Sequence, residues 1–407
     1  MNTENTNFKN SGIEWIGEIP KHWGVKKLKF IIENSISGEV IDKGYWNSGN
    51  EFLYTCQKEP MFSDFDKFPE NKRTRGNCLL LTRNATPYIF IPKDNAIFSN
   101  VVQKIILFKK YDKRYIKYSI QIGANSLLVN GDIIPSYNMQ VWNNIYFCDI
   151  PLDEQERIAE FLDKKCASID SSIENLEQKI KSLAQYKKAL ITQCVTKGLN
   201  PKILEFKDSE IPWIGQIPKH WEIIRLGYIC NKLNRKIDEN DEPLICSNKG
   251  QVAFRDKNAC GKMLSENHTM QGIQVGDIAI HGMDTWHGAI AYSNLKGKIT
   301  GVVHVCDSKE NNKFIVYFLQ YLAIQGVYKL ISNGVRGNTS DFRSWNSVKN
   351  IYIIVPPLNE QKEIAEFLDK KCEKIDNLSA NYKEQIKTLK EYKKALIYEC
   401  VTGKKQI

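Results

Sequence analysis

The chain has 407 residues, with 57 lysines and arginines against 47 aspartates and glutamates, which gives a net charge of +10. This length predicts two or three domains, and a hydrophobic content of 42% with 26% charged residues excludes a disordered chain. No apolar run is long enough to span a bilayer, and the polar start lacks the apolar core of a secretory signal. We therefore expect a cytoplasmic protein without membrane association, and the positive charge favours a polyanionic partner.

One unusual nonapeptide occurs twice. "WIGEIPKHW" begins at Trp15, and "WIGQIPKHW" begins at Trp213, which is 198 positions later. A longer pair of segments also matches: "PLDEQERIAEFLDKKCASID" begins at Pro151, and "PLNEQKEIAEFLDKKCEKID" begins at Pro357, 206 positions later. This repeated order indicates a tandem duplication in which a frame was retained while the intervening regions diverged. We expect the nonapeptides to be packing anchors for the domains that follow them.

The duplication predicts four segments in chain order. They are a first globular domain (11–150), a first long helix (151–198), a second domain (209–356) and a second long helix (357–403). Short β-like runs separated by turn residues, with a helical stretch late in each domain, predict an α+β fold for both domains.

Both long segments carry an apolar stripe with the spacing of a coiled coil. In the first, apolar residues follow alternating steps of four and three over more than four heptads, interrupted by Lys187. The second has Lys393 at the corresponding position. Asp153 and Asn359 are the predicted N-caps.

Two such helices in one chain bury their stripes most simply against each other, which predicts an intramolecular coiled coil. The alternative is that each stripe packs against a separate globular core. We expect an antiparallel pair, which would relate the two repeats by a pseudo-twofold axis. A parallel pair is not excluded, because the second domain is long enough to span the return distance.

Polar loops in both domains are candidates for DNA recognition, because arginine can bind guanine bidentately, asparagine can bind adenine, and basic side chains can contact phosphates. The candidate base-reading residues are Ser136, Tyr137 and Asn138 in the first domain and Arg336, Asn338, Thr339 and Arg343 in the second. The candidate phosphate-contacting residues are Lys72, Arg73, Arg75, Arg83, Asn84, Lys249 and Arg255. Each loop, considered alone, is also compatible with an ordinary solvated loop.

The sequence contains no strong catalytic signature. A Walker A loop, an Asn/Asp-Pro-Pro-aromatic motif for base methylation, HExxH and GxSxG are all absent. One weak pattern, Asp64 or Asp66 followed by Glu70 and Lys72, could bind a divalent metal, so an autonomous metal-dependent nuclease is the alternative function. The eleven cysteines include no CxxC pair, which predicts buried, reduced thiols rather than a metal or disulfide framework.

These motifs closely resemble those of the specificity subunits of type I restriction-modification enzymes. The resemblance covers essentially the whole chain and rests on the two nonapeptides, on "PLDEQ" and "PPLNEQ" before the long helices, on "VTKGL" after the first helix, and on "GDIAIHGMDTWHGAIA" in the second domain. It implies two target-recognition domains that each read one half of a split site in double-stranded DNA. It also implies that the paired helices set the spacer and dock two modification (methyltransferase) subunits.

The resemblance further implies a non-catalytic chain that binds no cofactor. Restriction (motor-nuclease) subunits would join the complex, and the partner subunits would use S-adenosylmethionine, ATP and Mg²⁺. We expect the modification subunits to dock on lysines of the helices, with a solvated basic face as the alternative. These lysines are Lys164, Lys165, Lys187 and Lys188, with their copies Lys370, Lys371, Lys393 and Lys394.

Overall fold

The computed structural model describes residues 7–84, 86–126, 137–238, 240–255, 270–332 and 342–407. The chain divides into two compact units. Unit 1 comprises Met1–Leu176 and Glu384–Ile407, and unit 2 comprises Glu177–Lys383. The boundaries fall inside the two long helices, so each unit contains one domain together with parts of both helices.

Unit 1 is built around a four-stranded antiparallel sheet. Its strands are β1 (Phe8–Asn10), β2 (Glu18–Pro20), β3 (Gly24–Lys27), β4 (Ile32–Ser37), β5 (Trp46–Tyr54), β6 (Met61–Ser63), β7 (Cys78–Thr82), β8 (Ile89–Phe90), β9 (Ile97–Phe98), β10 (Val102–Leu107) and β11 (Tyr146–Asp149). Its helices are α1 (Lys113–Ser126), α2 (Met139–Asn143), the part of α3 (Leu152–Lys197) up to Leu176, and the part of α7 (Leu358–Val401) from Glu384 onward. The central sheet has the order β4-β10-β7-β8, and all five residues of the apolar strand β7 are buried.

The other strands of unit 1 form smaller sheets. β1 pairs with β2 and β3 pairs with β11, both antiparallel, whereas the sheet β6-β5-β9 contains one parallel pair, β5 with β9.

Unit 2 repeats most of this arrangement. Its strands are β12 (Phe206–Asp208), β13 (Gln216–Pro218), β14 (Glu222–Arg225), β15 (Cys230–Lys232), β16 (Leu244–Ser247), β17 (Gln251–Phe254), β18 (Met270–Ile273), β19 (Ile278–His281), β20 (Ile290–Tyr292), β21 (Gly297–Thr300), β22 (Val303–Ser308) and β23 (Tyr352–Val355). Its helices are α4 (Asn312–Ile324), α5 (Val327–Ile331), α6 (Trp345–Lys349), the part of α3 from Glu177 onward and the part of α7 up to Lys383.

The sheets show which part of the fold is duplicated. The order β15-β22-β19-β20 repeats that of the central sheet of unit 1, and the pairs β12-β13 and β14-β23 repeat β1-β2 and β3-β11. The remaining strands are only partly alike. The pair β16-β17 resembles β5-β6, and the parallel bridge between Pro243 and Lys298 resembles the parallel pair β5-β9, but the pair β18-β21 occurs in unit 2 alone among the described strands. The α+β fold is therefore confirmed, with a common frame and a second layer that differs in detail.

Within each unit the two helix segments run antiparallel. In unit 2, Lys179 lies over the ring of Tyr382 at 5.8 Å, and Lys187 pairs with Asp376 at 2.7 Å, so rising numbers on α3 meet falling numbers on α7. The corresponding neighbours in unit 1 are Cys166 with Cys400 and Asp170 with Lys393. The predicted antiparallel direction agrees with these contacts.

The stripes also enter the globular core. In unit 2, Ile191 of α3 and Leu368 of α7 belong to the same buried cluster as Trp221 and Phe318 of the domain. The two packing modes expected as alternatives, helix on helix and helix on domain, therefore occur together.

Both long helices begin one residue before their predicted caps. The backbone N–H groups of Gln155 and Gln361 donate to the carbonyls of the prolines that precede the helices, at 3.0 and 3.1 Å. Asp153 and Asn359 consequently lie inside the first turn, and their prediction as N-caps is wrong. The first turns are positioned by contacts with the domains instead of by a capping side chain.

No helix in the described ranges combines the length and apolar composition of a membrane-crossing segment. Of the ten cysteines in these ranges, nine are buried and Cys56 is exposed.

Candidate functional site

The nonapeptide of each unit binds the start of a long helix. The indole N–H of Trp23 donates to Glu154, and that of Trp221 donates to Glu360, both at 2.9 Å. The preceding histidine lies beside the same carboxylate in both units, at 3.3 and 2.7 Å. Both tryptophans are buried, at 4% and 0% exposure. The two most strongly repeated motifs of the sequence therefore bind each other, which agrees with the nonapeptide being a packing anchor.

The glutamine after each of these glutamates connects the helix to the domain. The side-chain amide of Gln155 donates to the Ile150 carbonyl at 2.8 Å, and its oxygen accepts from the backbone N–H of Asp112 at 2.9 Å. Gln361 makes the equivalent two bonds in unit 2. Its amide donates to the Pro356 carbonyl at 2.7 Å, and its oxygen accepts from the backbone N–H of Asn311, just before α4, at 3.0 Å. Because both side chains are buried, these bonds fix the angle at which each helix leaves its domain.

A third repeated contact lies further along each helix. Tyr118 of α1 donates to Asp163, and Tyr317 of α4 donates to Asp369, both at 2.8 Å. Burial is the main cause that raises the pKa of both phenols well above the usual range, so both remain neutral donors at physiological pH. Lys313 also pairs with Asp369 at 2.6 Å, and this hydrogen bond raises the pKa of the lysine.

Two of the lysines predicted as docking residues lie on the apolar stripe. The Nζ of Lys187 is 2.7 Å from Asp376, and that of Lys393 is 2.6 Å from Asp170. Both lysine side chains are 28% exposed, so their stems cover the stripe while their ammonium groups bind the other helix. The remaining docking candidates are exposed: Lys164, Lys165, Lys188, Lys370, Lys371 and Lys394.

The positions of these four charges favour the antiparallel direction. The two lysines occupy equivalent positions of the repeat, 206 apart, and so do the two aspartates. A parallel pair in register would therefore place lysine opposite lysine and aspartate opposite aspartate. The antiparallel pair places opposite charges together, as polar residues do when they specify coiled-coil register.

We expect the charge reversals Lys187→Asp and Asp376→Lys to be coupled. Each alone turns an attraction into a repulsion and lowers the stability of unit 2 by about 1 kcal/mol, because the pair is partly exposed. The double reversal restores the attraction and most of the stability. A double-mutant cycle from denaturant unfolding should give a coupling energy of about 1–2 kcal/mol. Lys188→Asp, on the neighbouring exposed position, is the control without an effect, and additive effects of the two reversals would contradict the pairing.

The candidate phosphate contacts in unit 1 include several that are engaged in ion pairs. Arg73 is only 8% exposed and lies 3.0 Å from both Glu51 and Glu70. Lys72 and Arg75 also bind glutamates. The burial of Arg73 gives it a structural position that does not suit contact with a DNA backbone.

The nuclease alternative gains no support from the structure. Glu70 is held by two arginines, and Asp64 accepts a hydrogen bond from the Ser48 hydroxyl at 2.7 Å. Across the described ranges, no group of three or more His, Cys, Asp or Glu side chains could hold a metal ion.

The base-reading candidates are divided in the same way. Tyr137 is 1% exposed and its ring lies 5.5 Å from that of Trp142, so it belongs to the core. Asn138 is exposed and caps α2 by accepting the N–H of Val141 at 3.0 Å. Arg343 is exposed. Among the other candidate phosphate contacts, Arg83 is half-buried, with a nitrogen 3.5 Å from the Asn100 carbonyl, Arg255 is also half-buried, and Asn84 and Lys249 are exposed. Four of the base-reading candidates lie outside the described residues: Ser136, Arg336, Asn338 and Thr339.

Known proteins are similar to this chain in sequence and in fold. Residues 218–388 match the family model of the type I restriction modification DNA specificity domain. The type I restriction enzyme MjaVIII specificity subunit of Methanocaldococcus jannaschii is 24% identical over 420 residues, which cover 96% of this chain and 91% of the relative. The MjaIX specificity subunit of the same organism is 24% identical over 451 residues, which cover 99% and 97%.

A solved structure shows a similar fold. That structure describes complex assembly and conformational transition of the type I R-M system. One of its chains matches this chain with a TM-score of 0.59 at 16% sequence identity, and the match covers 94% of this chain and 98% of that chain. The second half of the chain is thus similar to a DNA specificity domain, and the chain as a whole is similar to specificity subunits. The resemblance predicted from the sequence, to the specificity subunits of type I restriction-modification enzymes, is confirmed.

Proposed function

We propose that the chain is the DNA-sequence-recognition subunit of a type I restriction-modification complex, acting in the cytoplasm. The observation that carries the proposal is the contrast between a duplicated frame and divergent domain surfaces. The bonds of Trp23, Gln155 and Tyr118 in unit 1 recur in unit 2. The sheets beside this frame differ in detail, because β5 has nine residues where β16 has four, and the pair β18-β21 occurs in unit 2 alone among the described strands. A shared frame suits two identical partners, and two different surfaces suit two different half-sites.

Each domain reads one half of a bipartite site in double-stranded DNA, and the paired helices set the spacer. The net charge of +10 supports binding to a polyanion. Among the candidates, exposed Lys249 at the turn between β16 and β17, together with Arg343, is best placed for such contacts in unit 2.

The chain supplies recognition, and its partners supply chemistry. Two modification subunits dock on the helices and use S-adenosylmethionine, and the restriction subunits add ATP- and Mg²⁺-dependent activity. The chain itself is non-catalytic and binds none of these cofactors. The six exposed helix lysines support docking, because they occur as three pairs at equivalent positions of the repeat.

Domain exchange tests the proposal. Residues 24–150 are replaced with the corresponding domain of a different specificity subunit, and the hybrid is expressed with the cognate modification subunit. Sequencing of methylated bases should show one half of the motif changed, with the other half and the spacer retained. The matched control replaces residues 222–356 and should change the opposite half. A change in both halves after either exchange would contradict separate reading.

A further inference from the structure

Each unit exposes one large aromatic side chain at the same position of the repeat. Phe30 is 62% exposed and Tyr228 is 75% exposed. They are 198 positions apart, which is the offset of the two nonapeptides. Each is the last residue of a short 3₁₀ turn that directly follows β3 or β14. A single exposed aromatic residue is ordinary, but the same exposure in two otherwise diverged domains indicates a shared use.

A cation and a second aromatic ring accompany each of these residues. Lys27 lies opposite Tyr146 in the register of β3 and β11, with its Nζ 5.1 Å from the ring centroid. Arg225 lies opposite Tyr352 in the register of β14 and β23, with its guanidinium carbon 5.4 Å from the ring centroid. Tyr352 is itself 39% exposed. Each unit therefore has a cation next to a tyrosine ring on its own two-stranded sheet, β3-β11 in unit 1 and β14-β23 in unit 2.

An asparagine holds each cation in place. The Oδ1 of Asn144 accepts from Lys27 at 3.0 Å, and that of Asn350 accepts from Arg225 at 3.3 Å. In both units the cation directly precedes the 3₁₀ turn and the exposed aromatic residue ends it, so the two are three positions apart in the chain. We name these sets the aromatic patches: Lys27, Phe30, Asn144 and Tyr146 in unit 1, and Arg225, Tyr228, Asn350 and Tyr352 in unit 2.

The chemistry of the patches favours a protein partner. A DNA backbone would use the cations but would leave the apolar ring of Phe30 without a contact, since paired bases in a duplex do not present their faces. Aromatic residues and arginine are enriched at the centres of protein interfaces, where rigid anchors contribute most of the affinity. Strands β11 and β23 lead directly into the long helices, so the patches adjoin, along the chain, the helix lysines expected to dock partners.

We propose that the aromatic patches are two equivalent docking sites, each for one copy of the same partner protein, the modification subunit. This inference rests on the proposed function and adds a second contact area, on the domains, to the docking expected on the helices. Because the two patches are chemically alike and the recognition surfaces are not, one partner sequence can bind both units while the units read different DNA.

Alanine variants of the full chain test the proposal, with the purified cognate modification subunit as the probe. Native mass spectrometry and titration calorimetry should show two bound partners for the unchanged chain. Phe30→Ala should weaken one site by at least about ten-fold, because it removes an interface anchor, and Tyr228→Ala should weaken the other. The double variant should weaken both. Phe62→Ala and Phe254→Ala, at residues 48% and 59% exposed outside the patches, are matched controls and should leave both sites unchanged.

Other outcomes separate the inference from the function on which it rests. If the unchanged chain binds two partners and the variants bind them equally well, the patches are not docking sites and the proposed function stands. Failure of the unchanged chain to bind any partner would remove both proposals. Weaker DNA binding by Phe30→Ala in the isolated chain would assign the patches to DNA, and loss of self-association would assign them to a second copy, so either result would overturn the inference. Unchanged thermal unfolding of each variant verifies that it is folded.

Discussion

Replacement of Trp221 with alanine is expected to lower the free energy of unfolding of unit 2 by about 3–5 kcal/mol, the range for removing a buried aromatic side chain. Trp221 is fully buried in the core cluster that joins the domain to both helix segments. Its loss leaves a cavity at that junction and removes the donor to Glu360. Denaturant unfolding, followed by hydrogen exchange within unit 2, measures the change.

A more conservative pair of variants separates the hydrogen bond from the packing. Trp221→Phe retains much of the apolar surface but removes the indole N–H, and we expect a loss of about 1–3 kcal/mol from the carboxylate left without this donor. Trp286→Phe is the matched control, because the buried indole N–H of Trp286 has no hydrogen-bond partner among the described residues. Equal losses from the two phenylalanine variants would show that the bond to Glu360 contributes nothing of its own.

The second large effect is expected at Gly403, where α7 ends in unit 1. Its φ is +72°, a left-handed conformation, and an added Cβ would lie 2.5 Å from Pro20 and 2.9 Å from Trp23. Gly403→Ala should therefore lose about 1–2 kcal/mol from the backbone conformation and about 1–3 kcal/mol more from the displaced nonapeptide.

Gly12 provides the control for Gly403. Its φ is +74°, in the same unit, but nothing lies within 4 Å of an added Cβ. Gly12→Ala should therefore show the conformational loss alone, measured by the midpoint of denaturant unfolding. If both variants lost the same stability, the end of α7 would not pack on the nonapeptide as described.

The frame could be predicted from the sequence because its signals are local or repeated. The heptad spacing marks the long helices, and the internal repeat marks the nonapeptides and the helix starts. A further pattern in the sequence marks the contacts at the start of each long helix. Glu154 and Gln155 are identical to their copies, whereas the neighbouring Asp153 and Glu156 are replaced by other residues in the second repeat. Two retained residues between changed ones indicate contacts that the frame requires.

The candidate site was predicted less well because burial and pairing depend on distant residues. Arg73 is one member of a basic run, and nothing near it in sequence shows that Glu51, 22 positions earlier, binds it in the folded domain. Tyr137 belongs to a polar segment, yet its ring packs against Trp142. Lys187 interrupts an apolar stripe, and its partner Asp376 lies in the other long helix. A charge pattern alone does not distinguish a cation available to DNA from one already paired.

The composition of unit 1 has a consequence for the order of folding during synthesis. Unit 2 is one continuous stretch, Glu177–Lys383, whereas unit 1 needs Glu384–Ile407 to complete it. In that segment Tyr398 and Lys404 donate to the carbonyl of Ile16, at 3.3 and 3.1 Å. A ribosome releases the residues of unit 2 before this segment, so the first-made domain is the last to acquire its full set of contacts. A message truncated after residue 383 would encode every residue of unit 2 and leave the earlier domain without the helix that closes it.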